Sequence, residues 1–142
     1  MRFKLVTLAV SLSLCAAAMP VSAEEKTPAS VEQANARIAA VQAHIDAYRS
    51  GDLDRFVATF AKDAEVHAMG MTAIGHRQIK EIYRMNFQPG SPGLQIYDNG
   101  IDGDMIWVSA GYVFPNGEEM CCSLSEYRVE GGKISFLRSN ME

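Results

Sequence analysis

Cysteine is scarce in this sequence, and the spacings that turn cysteine into a metal site are missing. The 142 residues include three cysteines, Cys15, Cys121 and Cys122, with no C-x-x-C pair and no spaced set of cysteine and histidine. Structural zinc sites need such spaced ligands. Because neighbouring side chains of a strand point to opposite faces of its sheet, Cys121 and Cys122 are predicted to be one core thiol and one thiol on the other face. No metal ion and no cofactor is expected.

Basic residues are outnumbered, with 13 Lys and Arg against 17 Asp and Glu. The nearest approach to a basic cluster comprises His76, Arg77, Lys80 and Arg84, and Glu81 interrupts it. Proteins bind the phosphates of nucleic acids through clustered Lys and Arg. We therefore expect no nucleic-acid partner, and we interpret this cluster, His76 included, as a solvated helix face.

Only one long apolar run is present, LVTLAVSLSLCAAAM at residues 5–19, and it is too short to span a membrane comfortably. Arg2 and Lys4 precede it, and the small-residue motif Val21-Ser22-Ala23 follows it. This order is typical of a secretory signal peptide. We predict a signal peptide over residues 1–23, no membrane span, and a periplasmic or secreted protein.

The chain that remains after removal of the signal peptide is acidic and long enough for one domain. Without Arg2 and Lys4, 11 basic residues stand against 17 acidic ones, which gives a net charge of −6 with histidine neutral. A chain of this length can bury a core without disulfides or metals. We predict a flexible polar lead over residues 24–30 and a single domain over residues 31–142.

Three helices are predicted in the first half of this domain. Ser30 and Gln33 form a capping box, and apolar residues then recur every three or four positions as far as Tyr48. Asp52 is the predicted cap of a second, shorter helix. A third helix is predicted after Gly75, and a segment rich in proline and glycine ends it.

Strands are predicted for most of the remainder. A first strand begins in the segment from Ala64 to Ala68, between the second and third helices. Three turn signals separate four further strands, which cover residues 94–101, 105–114, 118–129 and 133–140. The predicted fold class is therefore α+β, with three N-terminal helices packed on a strongly curved, mostly antiparallel sheet.

Three segments carry a resemblance: SGDLDRFVATFAKDAEV at residues 50–66, GHRQIKEIY at 75–83 and GGKISFLR at 131–138. Together they are similar to the NTF2-like superfamily, and within it the chain most resembles the SnoaL-like and ketosteroid isomerase-like domain proteins. The resemblance implies the NTF2-like cone, in which the sheet and the long helix enclose an apolar ligand cavity. These segments identify the fold, and none of them is catalytic.

The resemblance also implies where the catalytic groups of the steroid isomerase would lie. Its carboxylate base corresponds to Ala68, its oxyanion tyrosine to His44 and its buried acid to Ser125, so none of the three is matched. A supporting tyrosine is matched by Tyr83. Steroid isomerisation by that mechanism is therefore not expected. An inward His44, held by Tyr83 and facing Ser125, would be a neutral titratable ring in the cavity, and a helix-edge or solvent-facing His44 is the alternative.

The cavity that the resemblance implies is expected to bind a small hydrophobic or semi-polar molecule. Because side chains of a strand alternate between faces, Ser123, Ser125 and Tyr127 share one face and would make part of the wall mildly polar. The residues predicted to bind the ligand are Val41, Tyr48, Phe56, Phe60, Ala68, Ile79, Val108, Tyr112, Ser123, Tyr127 and Leu137.

Three functions stay open on the sequence alone. The first is an exported protein that binds a small molecule without catalysis. The second is a SnoaL-like isomerase, cyclase or hydrolase acting through His44, Tyr83 and Ser125, so the sequence leaves open whether the protein is an enzyme. The third is a homodimeric structural module of the cell envelope.

A homodimer is expected in any of these cases, because proteins of the group often associate through the outer, convex face of the sheet. Alternation along the first strand places His67 on that face, opposite to Ala68. We predict that His67, Trp107 and Cys122 are interface or surface residues.

Overall fold

The computed structural model describes residues 27–142. The predicted signal peptide and residues 24–26 of the predicted lead lie outside the described residues. Within the described part, no helix has both the length and the apolar composition that crossing a membrane requires.

Three α-helices precede most of the sheet. Helix α1 spans Pro28–Arg49, α2 spans Leu53–Val57 and α3 spans Gly75–Tyr83, followed by a 3-10 turn at Arg84–Phe87. The side chain of Asp52 caps α2, as predicted, by accepting a hydrogen bond from a backbone N–H in its first turn.

Helix α1 begins three residues earlier than the capping-box prediction. Thr27 is its N-cap, with Pro28 in the first turn, where the missing N–H of proline costs no helical hydrogen bond. The hydroxyl of Ser30 donates to the Thr27 carbonyl oxygen instead of capping the helix. Ser30 therefore belongs to the helix and not to a flexible lead.

Six strands form one sheet. They are β1 (Phe60–Ala68), β2 (Met71–Ile74), β3 (Gly93–Asp102), β4 (Met105–Val113), β5 (Glu119–Glu130) and β6 (Lys133–Met141). Their order is β2-β1-β6-β5-β4-β3, and only the β1–β6 pair is parallel. Register shifts in four of the five strand pairs mark bulges, which bend strands and curve the sheet. The α+β prediction with a curved, mostly antiparallel sheet is confirmed.

Strand β2 and the early start of β1 were not predicted from the sequence. Met69 and Gly70 form the turn between these strands, and both have positive φ angles, of 56° and 72°. Tight hairpin turns need such angles and are usually recognised by Asn-Gly or Asp-Gly, so a Met-Gly pair gives little signal. Strand β1 begins at Phe60, before the segment from Ala64 to Ala68 in which the first strand was predicted to begin.

The helices cover one face of the sheet, and the core lies between them. Val41, Ile45 and Ala47 of α1 are buried against this face, and Phe56 of α2 and Ile79 of α3 are at most 1% exposed. Burying an aromatic or aliphatic side chain of this size contributes about 1.5–3 kcal/mol to folding. The core therefore fixes α1 above the middle strands, and this packing positions the candidate site.

The two adjacent cysteines differ from their prediction. The structure joins Cys121 and Cys122 in a disulfide between neighbouring residues of β5. Cys121 is exposed and Cys122 is half-buried, so neither is a core thiol. The buried polar residue of this stretch is Ser123, the next along the strand.

Candidate functional site

A small chamber, called the deep chamber here, lies between the helices and the sheet. Its volume is about 40 Å³, enough for a few water molecules. Its lining residues are His44, Ile45, Tyr48, Phe56, Tyr83, Leu94, Val108, Ala110, Tyr112, Ser123, Ser125, Tyr127, Leu137 and Ser139. Side chains fill most of the interior, so the deep chamber alone holds no more than the end of a ligand.

A wider space, called the outer chamber, shares four of these residues. Its volume is about 320 Å³, within the range of small-molecule sites. Tyr48, Tyr83, Tyr112 and Ser139 line both chambers. The remaining lining residues of the outer chamber are Ala68, Met69, Gly70, Asn86, Asn140 and Met141. Ala68, the position that corresponds to the isomerase base, lies at this wider end.

His44 points inward from α1 and is only 4% exposed. Its ring packs against Phe56, Phe60 and Tyr127, with centroid distances of 4.5, 4.9 and 5.4 Å. Its Nδ1 lies 2.7 Å from the hydroxyl oxygen of Thr59. Burial lowers the pKa of His44 from 6.5 to about 3, because the apolar surroundings disfavour the charged ring. The ring is therefore neutral at physiological pH.

His44, Tyr83 and Ser125 line the same chamber but do not form the predicted hydrogen-bond network. The Phe56 ring contacts both His44 and Tyr83, at centroid distances of 4.5 and 4.8 Å. Ser125 donates to the Ser139 hydroxyl at 2.9 Å, because the β5–β6 register sets the two residues side by side. The partner of His44 is Thr59, which the sequence analysis did not single out.

Several tyrosines bring phenolic hydroxyls to the chambers. Burial raises the pKa of Tyr83 well above its usual value, and the nearby Tyr127, Tyr112 and Tyr48 add to the rise. Burial likewise raises the pKa of Tyr127, with a smaller opposing effect of Ser125. Tyr83 and Tyr127 therefore stay protonated at neutral pH and can donate hydrogen bonds.

Tyr48 has a buried hydroxyl with no hydrogen-bond partner among residues 27–142. Burial raises the pKa of this hydroxyl, and the nearby Asn86 side chain opposes part of the rise without reaching hydrogen-bond geometry. A buried donor without a partner costs about 1–3 kcal/mol. Tyr48, a residue that lines both chambers, thus carries an unused hydrogen-bond donor.

The structure distributes the predicted ligand-binding residues over four places. Phe60 and Ile79 are packed in the core behind the wall, at 1% and 0% exposure. Val41 lies in a cleft of about 320 Å³ between α1 and strands β3 and β4, which shares Ile45 and Val108 with the deep chamber. Ala68 lines the outer chamber, and the others line the deep chamber: Tyr48, Phe56, Val108, Tyr112, Ser123, Tyr127 and Leu137.

The spacing of residues along β6 and α1 indicates inward positions for Ser139 and Ile45, which line the deep chamber. Ser139 is two residues after Leu137 on β6, so alternation places both on one face. Ile45 follows Val41 by one helical turn on α1. Asn86 lies in a 3-10 turn without periodicity, and no pattern in the sequence points to it.

The other two histidines lie outside the chambers. His67 is half-buried beside the Phe136 ring, and its Nε2 lies 2.6 Å from a carboxylate oxygen of Glu65. His76 was predicted to be solvated, but its Nε2 lies 2.8 Å from the Phe60 carbonyl oxygen and is positioned to donate a hydrogen bond to it. Among residues 27–142, no group of three or more His, Cys, Asp and Glu residues is arranged to hold a metal ion.

Comparison with known proteins assigns the family. The sequence profile of the SnoaL-like domain matches residues 41–136, which is most of the chain. The protein belongs to the SnoaL-like domain family. This assignment confirms the resemblance to SnoaL-like domain proteins that the sequence indicated. No curated protein matches the chain.

Solved structures similar to this SnoaL-like domain share its fold at low sequence identity. A candidate polyketide cyclase from Sinorhizobium meliloti is 23% identical, with a TM-score of 0.64, over 71% of this chain and 93% of that one. A protein with a ketosteroid isomerase-like fold from Catenulispora acidiphila, in complex with trimethylamine, is 20% identical, with a TM-score of 0.62, over 72% and 85%. The protein TerC, co-crystallised with polyporic acid, is 18% identical, with a TM-score of 0.63, over 75% and 92%. At these identities the similarity establishes the fold and not the activity.

Proposed function

We propose that this SnoaL-like domain binds a small, semi-polar molecule that presents an oxygen acceptor, such as a carbonyl group, to Tyr48. The observation that supports this most directly is the buried Tyr48 hydroxyl, which lacks a hydrogen-bond partner among residues 27–142 although Tyr48 lines both chambers. A ligand oxygen at this point would remove the cost of the unpaired donor. The proposal is therefore a binding function with a defined polar anchor.

The surroundings of Tyr48 favour an acceptor oxygen over other groups. Tyr83 lies close enough to Tyr127, Tyr112 and Tyr48 for their hydroxyls to disfavour its ionisation, in addition to the larger effect of burial. Phenols that stay protonated are donors to a carbonyl or to a developing negative charge on oxygen. No Asp, Glu, Lys or Arg is among the described residues that line the two chambers, so the recognition proposed here uses neutral groups.

The sizes of the chambers set the shape of the proposed ligand. The outer chamber, at about 320 Å³, has room for a ring or a short branched chain. The deep chamber, at about 40 Å³, has room for one small substituent beyond Tyr48. Two structural relatives support binding of small molecules in this fold, since one was solved with trimethylamine and another with polyporic acid.

Binding without catalysis is preferred to the enzymatic alternative because of the base strength of His44. An isomerase, cyclase or hydrolase acting through His44, Tyr83 and Ser125 would use the imidazole as its base. A general base works best when its pKa is near the operating pH, whereas burial lowers the pKa of His44 to about 3. Similarity to a candidate polyketide cyclase supports the enzymatic alternative, and the weak base argues against it.

Two further features belong to this proposal. The signal-like residues 1–23 support export to the periplasm or beyond.

His67 and Trp107, half-buried on the outer face of the sheet, support the homodimer expected there. The alternative of a purely structural module of the cell envelope is less well supported, because it gives the unpaired Tyr48 hydroxyl no role.

The test compares two tyrosine variants of the mature chain, with acetophenone as the carbonyl-bearing probe. Tyr48→Phe should weaken acetophenone binding about tenfold, measured by NMR titration, because one hydrogen bond to the carbonyl is lost. Tyr48→Phe should keep or raise the melting temperature, since it removes a buried unpaired hydroxyl. Tyr97→Phe is the matched control, because Tyr97 is 44% exposed and lines neither chamber, and it should leave binding unchanged. Equal binding by the wild type and Tyr48→Phe would contradict the proposal.

A further inference from the structure

We propose that Thr59 holds His44 as the Nδ1–H tautomer, so that the unprotonated Nε2 is the acceptor of the deep chamber and selects ligands whose inserted end carries a hydroxyl or N–H donor. The part about the ligand rests on the proposed function, whereas the part about the tautomer stands on the described contacts alone. The proposal adds a ligand class, a small hydroxy-carbonyl compound, and makes Thr59 a positioning residue.

The tautomer follows from counting protons around Thr59. Its hydroxyl oxygen lies 2.6 Å from the Phe56 carbonyl oxygen and 2.7 Å from His44 Nδ1. A carbonyl oxygen can only accept, so the single hydroxyl proton of Thr59 is donated to Phe56. The lone pair that remains on the Thr59 oxygen can only accept. His44 Nδ1 is therefore the donor of the second bond and carries the ring proton.

Thr59 is held firmly enough to impose this choice. It stands between α2 and β1, and its own carbonyl oxygen accepts a hydrogen bond from the Ile134 N–H at 3.0 Å. Its backbone N–H donates to the Phe56 carbonyl oxygen at 3.1 Å, so side chain and backbone converge on the same acceptor. Rotation of the Thr59 hydroxyl away from Phe56 would break its hydrogen bond to the Phe56 carbonyl oxygen, which also accepts from the Thr59 backbone N–H.

The second ring nitrogen, Nε2, is then a lone-pair acceptor. Burial keeps the ring uncharged at neutral pH, so no second ring proton is present. Nε2 makes no hydrogen bond to any residue from 27 to 142, while His44 lines the deep chamber. A group that reaches the deep chamber satisfies Nε2 only if it donates a hydrogen bond.

Nε2 and the Tyr48 hydroxyl together define a donor and acceptor pattern for the ligand. Tyr48, which lines both chambers, supplies a donor, and Nε2 supplies an acceptor in the deep chamber. A matching ligand carries an acceptor oxygen on its body and a hydroxyl or N–H on the end that enters the small space. A site built to pair with a hydroxyl rejects an analogue that lacks it more strongly than an apolar pocket does.

The first experiment measures the tautomer of His44 by 15N NMR of the labelled mature chain, without any ligand. The wild type and Thr59→Ser, which keeps the hydroxyl, should both show the proton on Nδ1. Thr59→Val, which has nearly the same shape and no hydroxyl, should lose this preference. A wild-type ring protonated on Nε2 overturns the proposal, and the wild-type result decides even if Thr59→Val does not fold.

The second experiment measures selectivity with two probes of similar size, 4-hydroxybenzaldehyde and 4-fluorobenzaldehyde. Only the first can donate to Nε2, so the wild type and Thr59→Ser should bind it at least about tenfold more tightly. Thr59→Val should reduce this preference. Equal binding of both probes by the wild type overturns the selectivity and leaves the proposed binding function standing. If the protein binds acetophenone but neither benzaldehyde probe, the proposed selectivity is also overturned. If it binds none of the three compounds, the proposed binding function itself is contradicted.

Discussion

His44 and His67 show how one residue type takes two roles in the same small domain. Each ring nitrogen Nδ1 pairs with a threonine hydroxyl, Thr59 at 2.7 Å and Thr72 at 3.1 Å. His44 is enclosed by aromatic rings on the helix side of the sheet. His67 has a 40% exposed side chain on the other face, with the Glu65 carboxylate 2.6 Å from its Nε2.

The difference lies in what surrounds the second nitrogen. Water and a carboxylate stabilise a charged imidazole, whereas aromatic walls penalise it. His67 is therefore suited to pair with the Glu65 carboxylate at the surface or in an interface, and His44 is suited to be a neutral hydrogen-bonding group. In this domain the local environment, and not the residue type, decides which histidine can take part in ligand recognition.

The largest expected contrast comes from removing the phenylalanine beside each histidine. Phe56→Ala should lower the free energy of unfolding by about 3–5 kcal/mol, because Phe56 is 1% exposed and packs against His44, Tyr83 and Phe87. Phe136→Ala should cost much less, about 1 kcal/mol, since Phe136 is half-buried. Urea denaturation of both variants measures the contrast, and similar losses would show that the two faces are equally packed.

The fold was largely predictable because its signals are local and repeated. The three-and-four spacing of α1, the Asp52 cap and the alternation along the four late strands each specify an element without tertiary information. The β2 strand could not be predicted, since it is four residues long and follows a turn whose Met69 adopts positive φ against its propensity.

The site was predictable only in part, because contacts across the fold decide it. The spacing along α1 indicated that His44 could point inward, which the structure shows. The identity of its partner depends on how α2 packs against α1, and that packing brings Thr59 and Phe56 to the ring in place of Tyr83. The size of the deep chamber depends on aromatic side chains from several elements, which no single stretch of sequence reveals.

The next expected effect is a pH dependence of stability that the buried His44 causes. Below pH 6.5 the unfolded chain binds a proton at His44, whereas the folded chain resists it until about pH 3. The unfolded state thus binds more protons, and stability falls as the pH falls through this window. Between pH 7.5 and 4.5 the contribution of His44 should amount to about 2–3 kcal/mol of lost stability.

The contribution of His44 is measured as the difference between the wild type and His44→Gln, because the carboxylates of both proteins titrate alike. As the pH falls, the free energy of unfolding of the wild type should decrease more than that of His44→Gln. In His67→Gln, the matched control, the pH-dependent loss caused by His44 should persist. A gap between wild type and His44→Gln that does not change with pH would contradict the burial of a neutral ring.

The smallest expected effect tests the surface histidine. Glu65→Gln removes the carboxylate beside His67 while keeping the shape of the side chain, and both partners are substantially exposed, at 40% and 49%. Exposed ion pairs contribute about 0–1 kcal/mol, and salt screens them. The variant should therefore unfold within about 0.5 kcal/mol of the wild type at moderate salt, measured by urea denaturation of dilute monomer. A larger loss in the dilute monomer would contradict this prediction. A loss that grows with protein concentration would support the proposed homodimer, with Glu65 and His67 buried against a second copy of the chain, because only an interface couples stability to concentration.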